Sequence, residues 1–328
     1  MSTQRRARLS APQWLPTAIS LAVAALVLLM AAPVDFRRDM VVLGAVYSLL
    51  ALGMYLPFVM GDGLSLAYNA YLGIGAFSVA LLGKYTDWSV LWGIPVAALV
   101  SALVALVLGL ATARLSGFYL AGVTLLFGTC FGTLLLRSEE VTGGAAGIPA
   151  IPAPVFFGHE LDRMDVTVLA VATAWAIAYA LTRLRRSPYG VVLRVQAEHP
   201  AVVEASGISA PVVKLLSLSL GAAIASVGGC LLAMMSRQVV PDTFGLSIVF
   251  LAVFMPLLGG KQSPWGSVLG AVIVVVLVFD FALFQEAGSL VFAVCVLLVL
   301  RFAPDGVLGI VGSALAAAPR LVRGAARD

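Results

Sequence analysis

Long apolar runs separated by short polar connections dominate the sequence. Most runs approach the roughly 20 residues that a helix needs to cross a hydrocarbon core of about 30 Å. The pattern therefore predicts an all-α integral membrane protein with about ten transmembrane helices. The predicted spans are Trp14–Ala32, Met40–Met60, Gly63–Gly83, Trp88–Ala113, Gly117–Leu136, Val166–Thr182, Leu215–Ser236, Thr243–Gly260, Pro264–Gln285 and Ala287–Ala303.

The two ends of this pattern are the weakest. The first run resembles a signal peptide, but it exceeds the usual apolar length of about 7–15 residues, which favours a retained anchor. The ninth run contains Asp280, and the tenth has only a short uncharged stretch before Arg301. The tail Val307–Ala318 is also apolar, so an eleventh helix at the membrane interface remains an alternative.

Composition supports lipid as the main solvent of the chain. Hydrophobic residues make up 61% of the sequence, charged residues only 11%, and the mean hydropathy is +1.06. Soluble domains carry about 25% charged residues. The three cysteines all lie inside apolar runs, so neither a disulfide framework nor a metal site is indicated. No stretch combines basic and aromatic residues over a polar surface, which argues against nucleic-acid binding.

The distribution of positive charge predicts the topology. With ten spans and a cytoplasmic N-terminus, 14 of the 20 Lys and Arg residues fall in inner segments and six in outer ones. Cytoplasmic loops of membrane proteins carry this excess. Both termini are therefore predicted to be cytoplasmic.

The loops indicate one transmembrane domain over residues 1–328. Residues 137–165 form a long outer loop, residues 183–214 a basic inner loop, and residues 304–328 a cytoplasmic tail. Spans two to five enter from outside, whereas spans seven to ten enter from inside. Two such blocks would form an inverted repeat, related by an axis in the membrane plane.

The chain lacks the groups that would supply energy or catalysis. Asp280 is essentially the only ionisable residue within the spans, whereas ion-coupled transporters generally use more. The segment GGKQ (259–262) lacks the first glycine and the Ser or Thr of a phosphate-binding loop. We therefore expect no enzyme activity and no cofactor bound by this chain. Energy must come from another polypeptide.

The inner loop contains a segment suited to contact a partner. In AEHPAVVEASGIS (197–209), Pro200 suits the first turn of a helix and Gly207 its end. Taken alone, the pattern favours an ordinary amphipathic surface helix over a docking element. The residues predicted for partner contact are Glu198, Ala201, Glu204, Ala205 and Gly207.

A second segment, GDGLSLAYNAYLGIGAF (61–77), combines four glycines with polar residues at membrane depth. Glycines weaken a continuous helix, and a break inside the bilayer requires surrounding protein or a water-filled cavity. A substrate path and close helix packing are equally supported. The predicted path residues are Ser65, Tyr68, Asn69 and Thr124.

At these segments the chain resembles the permease subunits of branched-chain amino acid ABC importers. Four blocks carry the resemblance in the family's order: GLSLAYNAYLGIGAF (63–77), GFYLAGVTLLFG with TGGAAGI (117–128 and 142–148), the stretch from Ser187 to Ala233, and the stretch from Val239 to Ala271. The resemblance implies alternating access driven by cytoplasmic ATPase subunits, which use the ATP. It also implies that the segment 198–207 docks into an ATPase, reversing the preference from pattern alone.

The resemblance further implies a second permease subunit and an extracytoplasmic substrate-binding protein. The outer loop at Thr142, Gly143 and Gly144 would face that binding protein. The chain departs from the family pattern at Ala67, Tyr68, Ala146, Gln262 and Ser267. These differences leave the cargo open among branched-chain amino acids, other hydrophobic amino acids, urea and short amides. A stand-alone secondary transporter or channel and a membrane scaffold are the alternatives from other classes.

Overall fold

The computed structural model describes residues 15–31, 34–61, 63–86, 88–112, 117–156 and 158–280, with 297, 301 and 306–309. These residues are almost entirely helical, which confirms the prediction of an all-α protein. The helices are α1 (Leu15–Ala31), α2 (Asp35–Met54), α3 (Tyr68–Tyr85), α4 (Gly93–Ala111), α5 (Gly117–Arg137), α6 (Glu139–Thr142), α7 (Arg163–Arg186), α8 (Pro188–Glu198), α9 (Pro200–Ala205), α10 (Ala210–Ser236), α11 (Leu246–Gly259) and α12 (Pro264–Val275).

Short elements complete this framework. A π-helical segment, Tyr55–Met60, continues α2, and another, Val276–Asp280, continues α12. Single 3-10 turns lie at Val90–Trp92, Gly144–Ala146 and Pro241–Phe244. Two antiparallel strands, β1 (Val155–Phe156) and β2 (His159–Glu160), form a small hairpin in the 137–165 loop.

Five helical segments of the described chain are long and apolar enough to cross a membrane. They are Asp35–Met60, Val90–Ala111, Gly117–Arg137, Arg163–Arg186 and Ala210–Ser236. The pair α11–α12 would make a sixth if counted as one span, and it bends by 120° at its break. The chain is thus a multi-pass membrane protein. The predicted span Ala287–Ala303, the end of the ninth span and most of the tail lie outside the described residues.

The third predicted span differs from the structure at its start. Residues 63–67 are not helical, and α3 begins only at Tyr68. The break therefore lies before the helix, whereas Gly73 and Gly75 are inside a continuous α3. The reason is a tertiary contact: the Leu66 N–H bonds to the Thr124 hydroxyl of α5 at 2.8 Å, not to a helical carbonyl.

Helix α10 is the centre of the fold. It packs against α2, α3 and α4, and about two thirds of its membrane-spanning stretch is buried. Glycines allow the backbones of α3 and α10 to touch: a methyl group on Gly75 would lie 1.9 Å from the Ser226 carbonyl oxygen, and one on Gly229 equally close to that of Leu72. In contrast, α4 and α5 are mostly exposed and offer apolar side chains to lipid.

The bundle has two distinct ends. One end, here called the coupling face, holds α8, α9 and the α11–α12 turn. The other, here called the loop face, holds the 137–165 loop, where Ile148 pairs with Val239 through two backbone hydrogen bonds. Two segments outside the α-helices enter the bundle from these opposite ends: residues 63–67 before α3, and residues 237–245, which include the 3-10 turn Pro241–Phe244, before α11.

Candidate coupling and translocation sites

The segment between α7 and α10 forms two short helices in series. The Ser187 hydroxyl accepts a hydrogen bond from the Gly190 N–H at 3.3 Å, and Pro188 occupies the first turn of α8. Pro200 begins α9 in the same way. Gly207 follows α9 with φ of +82°, a conformation that glycine adopts at no steric cost. The expected short helix is therefore present, with the start and stop that the sequence predicts.

Helix α8 is held firmly against the transmembrane bundle. Leu193 is fully buried in a cluster with Tyr55, Leu56 and Met60 of the α2 extension. A methyl group on Gly190 would lie 2.2 Å from the Leu184 carbonyl oxygen, so α8 touches the end of α7 backbone to backbone.

A hydrogen bond ties α8 to α10 as well. The Tyr189 hydroxyl donates to the Val213 carbonyl at 3.2 Å. Burial raises the pKa of Tyr189 to about 12, so this phenol remains a neutral donor at physiological pH. Helix α8 is consequently packed against or hydrogen-bonded to α2, α7 and α10.

Helix α9 projects from this rigid base. Val203 is its buried anchor at 3% exposure, whereas the neighbouring Val202 is 59% exposed. The structure places all five residues predicted for partner contact at the surface: Glu198, Ala201, Glu204, Ala205 and Gly207. Small side chains on an exposed, well-supported turn allow another protein's groove to approach the backbone closely.

A hydrogen-bond centre that the sequence did not reveal lies directly behind α8. The Arg185 guanidinium Nη1 donates to the Tyr55 hydroxyl at 2.5 Å and to the Gln262 carbonyl in the α11–α12 turn. Arg194 of α8 donates in turn to the Arg185 carbonyl at 3.2 Å. Arg185 therefore connects α8, the end of α2 and the turn of the α11–α12 hairpin.

The predicted path residues do come together, around the start of α3. The Tyr68 hydroxyl donates to the Gly53 carbonyl of α2 at 2.9 Å. The Thr124 hydroxyl accepts from the Leu66 N–H and donates within its own helix, to Leu120. Ser65 is also buried, at 1% exposure.

Asn69 bridges three elements. Its amide nitrogen donates to the Gly128 carbonyl of α5 at 3.1 Å and to the Phe244 carbonyl before α11 at 3.2 Å. Two carbonyls as partners fix the amide orientation, because the reverse orientation would place oxygen against oxygen. Gly128 lies 11 residues beyond Gly117, about 16 Å along α5 and near mid-membrane depth. The non-helical segments from the two faces therefore meet at Asn69.

This arrangement is a packed interlock. Two cavities of the described bundle, one of about 640 Å³ and one of about 220 Å³, are lined by other residues than Ser65, Tyr68, Asn69 and Thr124. Their assignment to a path stays a prediction. The sequence could not identify Gly128 and Phe244 as partners of Asn69, because any residue can supply a backbone carbonyl.

The glycine-rich part of the loop face is also rigid. The Thr142 hydroxyl donates to the Leu135 carbonyl at 2.6 Å, so its side chain points into the loop's own base. Gly143 and Gly144 adopt positive φ values of +75° and +57°. A methyl group on Gly143 would lie 2.0 Å from the Gly147 carbonyl oxygen. Exposed neighbours, including Ala145 and Ala146, form the outer surface here. The loop's role towards a binding protein stays a prediction.

Within the described residues, no group of three or more His, Cys, Asp or Glu side chains could hold a metal ion. Two features of the described residues bear on the predicted sites: an exposed, well-supported turn at α9 and a buried junction around Asn69.

Comparisons with known proteins agree with this architecture. The family model for the permease component of branched-chain amino acid transport systems matches residues 37–301. The chain is 29% identical to the high-affinity branched-chain amino acid transport system permease protein LivM of Escherichia coli (strain K12), covering 87% of this chain and 74% of that protein. It is 29% identical to the Salmonella typhimurium LivM, with 82% and 69% covered.

A more distant relative has nearly the same length. The chain is 25% identical to the probable branched-chain amino acid transport permease protein LivH of Methanocaldococcus jannaschii, with 84% of this chain and 94% of that protein covered. No solved structure matches the chain. Since the family model covers most of the sequence, the chain belongs to the family of permease components of branched-chain amino acid transport systems.

Proposed function

We propose that this chain is one permease subunit of an ATP-driven importer that carries branched-chain or related amino acids across the bacterial inner membrane. The observation that carries the proposal is α9, an exposed turn on a helix that is packed into the transmembrane bundle. ATPase subunits would bind Glu198, Ala201, Glu204, Ala205 and Gly207. A second permease and an extracytoplasmic binding protein would complete the importer.

In this proposal the coupling face is cytoplasmic and the loop face is extracytoplasmic, with both termini inside and about ten spans in a single domain. The basic residues favour this orientation. An inverted repeat is supported by a short internal similarity. GLSL (63–66) lies between α2 and α3, and GLSI (245–248) lies between α10 and the body of α11, so each follows a long central helix.

The contacts suggest how movement at α9 would reach the translocation path. Movement of α9 would displace α8. The hydrogen bonds of Arg194 and Arg185 would transmit this displacement to the end of α2 and to the α11–α12 turn. Helix α3 meets the segment that precedes α11 at Asn69. Rocking these helices apart would open the interlock at Asn69 and expose Ser65, Tyr68 and Thr124 to the cargo.

The names of the relatives favour a branched-chain amino acid as cargo. Urea, short amides or another small polar solute remain the alternatives within the same importer class. A stand-alone secondary transporter or channel is the alternative from another class, and uptake driven by an ion gradient alone would establish it.

A crossed pair of Ala-to-Arg variants tests the proposal. Ala201→Arg places a long charged side chain on α9, and Ala145→Arg places the same side chain on the loop face, where it is also exposed. We expect Ala201→Arg to lose ATPase co-purification and transport. We expect Ala145→Arg to keep ATPase co-purification and to lose stimulation by the binding protein.

Gly207→Trp is a poorer test, because any side chain at a φ of +82° costs about 1 kcal/mol or more by itself. Membrane insertion of both alanine variants should match the parent, as judged by yield and size exclusion. Normal ATPase co-purification with Ala201→Arg would contradict the proposed docking site.

A further inference from the structure

An apolar groove lies on the side of the bundle. None of the residues that line it belongs to α8, to α9 or to the junction at Asn69. Helices α1, α2, α7 and α12 line its volume of about 640 Å³, and its walls include Val27, Gly44, Trp175, Trp265 and Val272. Along α12 it extends from Trp265 to Val276, which is 11 residues or about 16 Å. That length is close to half of a hydrocarbon core of about 30 Å, or one leaflet.

A ladder of side chains leads from this groove to the basic end of α7. The Trp175 indole stacks on the Tyr179 ring, with centroids 5.5 Å apart and planes nearly parallel. The Arg183 guanidinium lies 5.2 Å from the centre of the Tyr179 ring, and its Nη2 donates to the Tyr179 hydroxyl at 2.6 Å. Trp175 and Arg183 are eight residues apart, about 12 Å along the helix.

The basic end of the ladder has charge without a counter-charge. Arg183 and Arg186 are exposed, and neither forms an ion pair within the described part of the chain. Arg185, between them, is turned towards Tyr55 and the α11–α12 turn. A long apolar groove with unneutralised arginines at one end is complementary to an amphiphile with an anionic head.

We infer that this groove is a binding site for an anionic phospholipid. One acyl chain fills the groove beside Trp175 and Trp265, and the phosphate binds Arg183 and Arg186. Aromatic rings at such a position suit the boundary between acyl chains and headgroups. In the proposed orientation the arginines face the cytoplasmic leaflet, where anionic lipids attract basic residues. Only that leaflet assignment rests on the proposed function.

Gly44 provides a way to close the groove without disturbing the fold. A methyl group on Gly44 would meet no atom within 4 Å, so Gly44→Phe can extend into the empty space. Gly122 of α5 is equally open but lies outside the groove. Gly122→Phe is therefore the matched control for inserting a phenylalanine at an exposed glycine of a membrane helix.

The experiment measures lipid binding to the purified, delipidated full chain by native mass spectrometry, with phosphatidylglycerol and phosphatidylcholine of the same acyl chains as probes. We expect the parent and Gly122→Phe to bind one phosphatidylglycerol in preference to phosphatidylcholine. Gly44→Phe should lose this binding. Arg183→Gln should weaken phosphatidylglycerol binding about fivefold and leave phosphatidylcholine binding unchanged.

A second measurement localises the lipid. Phosphatidylglycerol with brominated acyl chains should quench tryptophan fluorescence in the parent and much less in the double variant Trp175→Phe/Trp265→Phe, which removes both groove tryptophans. Equal affinity for the two headgroups, or undiminished binding to a correctly folded Gly44→Phe, would overturn the inference. So would formation of a dimer through the groove in place of lipid binding. ATPase co-purification with Gly44→Phe should be normal, so that failure here is separate from failure of the proposed coupling site.

Discussion

Asn69 offers the clearest separation between a packing role and a path role. Asn69→Leu keeps a similar side-chain volume and removes both hydrogen bonds that the Asn69 amide donates, one to the Gly128 carbonyl and one to the Phe244 carbonyl. Hydrogen bonds between membrane helices contribute about 0.6 kcal/mol on average and up to about 1.7. The two bonds together are therefore worth about 1–3 kcal/mol.

Two further effects adjust this figure for Asn69→Leu. The Phe244 carbonyl ends a 3-10 turn and loses the Asn69 amide as a donor, and a buried unpaired carbonyl costs about 1–3 kcal/mol. In the opposite direction, leucine removes the Asn69 Oδ1, which is buried without a hydrogen-bond partner. We expect a net loss of about 2 kcal/mol in the free energy of unfolding.

Asn69→Asp should be worse than Asn69→Leu, despite the closer similarity to asparagine. As an acid it has a single O–H donor for two carbonyls, and as a carboxylate it would place a negative charge against two carbonyl oxygens. The order of stability should be parent, then Leu, then Asp.

The assay is reversible unfolding of the purified chain in mixed dodecylmaltoside and dodecyl sulfate micelles. Thr133→Val is the control, because Thr133 lies on the exposed face of α5 and its hydroxyl bonds only within that helix, to Thr129. Its stability should match the parent within about 0.5 kcal/mol. If both Asn69 variants are as stable as the parent but their transport Km rises, the packing interpretation is refuted and Asn69 contacts the cargo.

Three other predictions concern close contacts. Gly75→Val should prevent accumulation of folded protein, because even a methyl group would lie 1.9 Å from the Ser226 carbonyl oxygen, whereas Gly132→Val on α5 meets no atom and should express normally. In a double-mutant cycle, Arg185→Met and Tyr55→Phe should show a coupling energy of about 1–3 kcal/mol in unfolding, and additive effects would exclude a direct hydrogen bond. Gly143→Ala should lower the stimulation of transport by the binding protein, because the substitution strains the loop at a positive φ. ATPase co-purification should stay normal. Unchanged stimulation would show that the loop does not face the binding protein.

Local features of the structure agree closely with what the sequence predicts. Pro200 and Gly207 bound the coupling turn, because proline fixes the φ of a first helical turn and glycine accepts a positive φ after the last. The long apolar runs become α2, α4, α5, α7 and α10 with boundaries within a few residues. Each depends on residues near one another in the chain, so a pattern can reveal it.

The start of α3 was not predictable in the same way. Its apolar run begins at Gly63, but the helix begins at Tyr68, since a hydroxyl 58 residues away in sequence captures the Leu66 N–H. Similarly, the sequence predicts separate spans at α11 and α12 but not the angle between these two helices. In the structure they bend by 120° around the Gly259–Gly260 turn, in backbone contact near Gly266 and Gly270.

The sequence by itself determined that the protein lies in a membrane, where most of its long helices run and where the short turn between Pro200 and Gly207 begins and ends. These properties follow from hydrophobicity and from backbone preferences within one or two helical turns. Only the tertiary structure decided that Asn69 joins α3, α5 and the segment before α11, and that Arg185 joins α7, α2 and the hairpin turn. In those bonds the donor and acceptor residues lie 59 to 175 positions apart in the sequence. The acceptors are backbone carbonyls, except for the Tyr55 hydroxyl. The bundle's packing, rather than any local motif, brings these groups together. At Asn69, which is buried near mid-membrane depth, only protein groups can satisfy the amide.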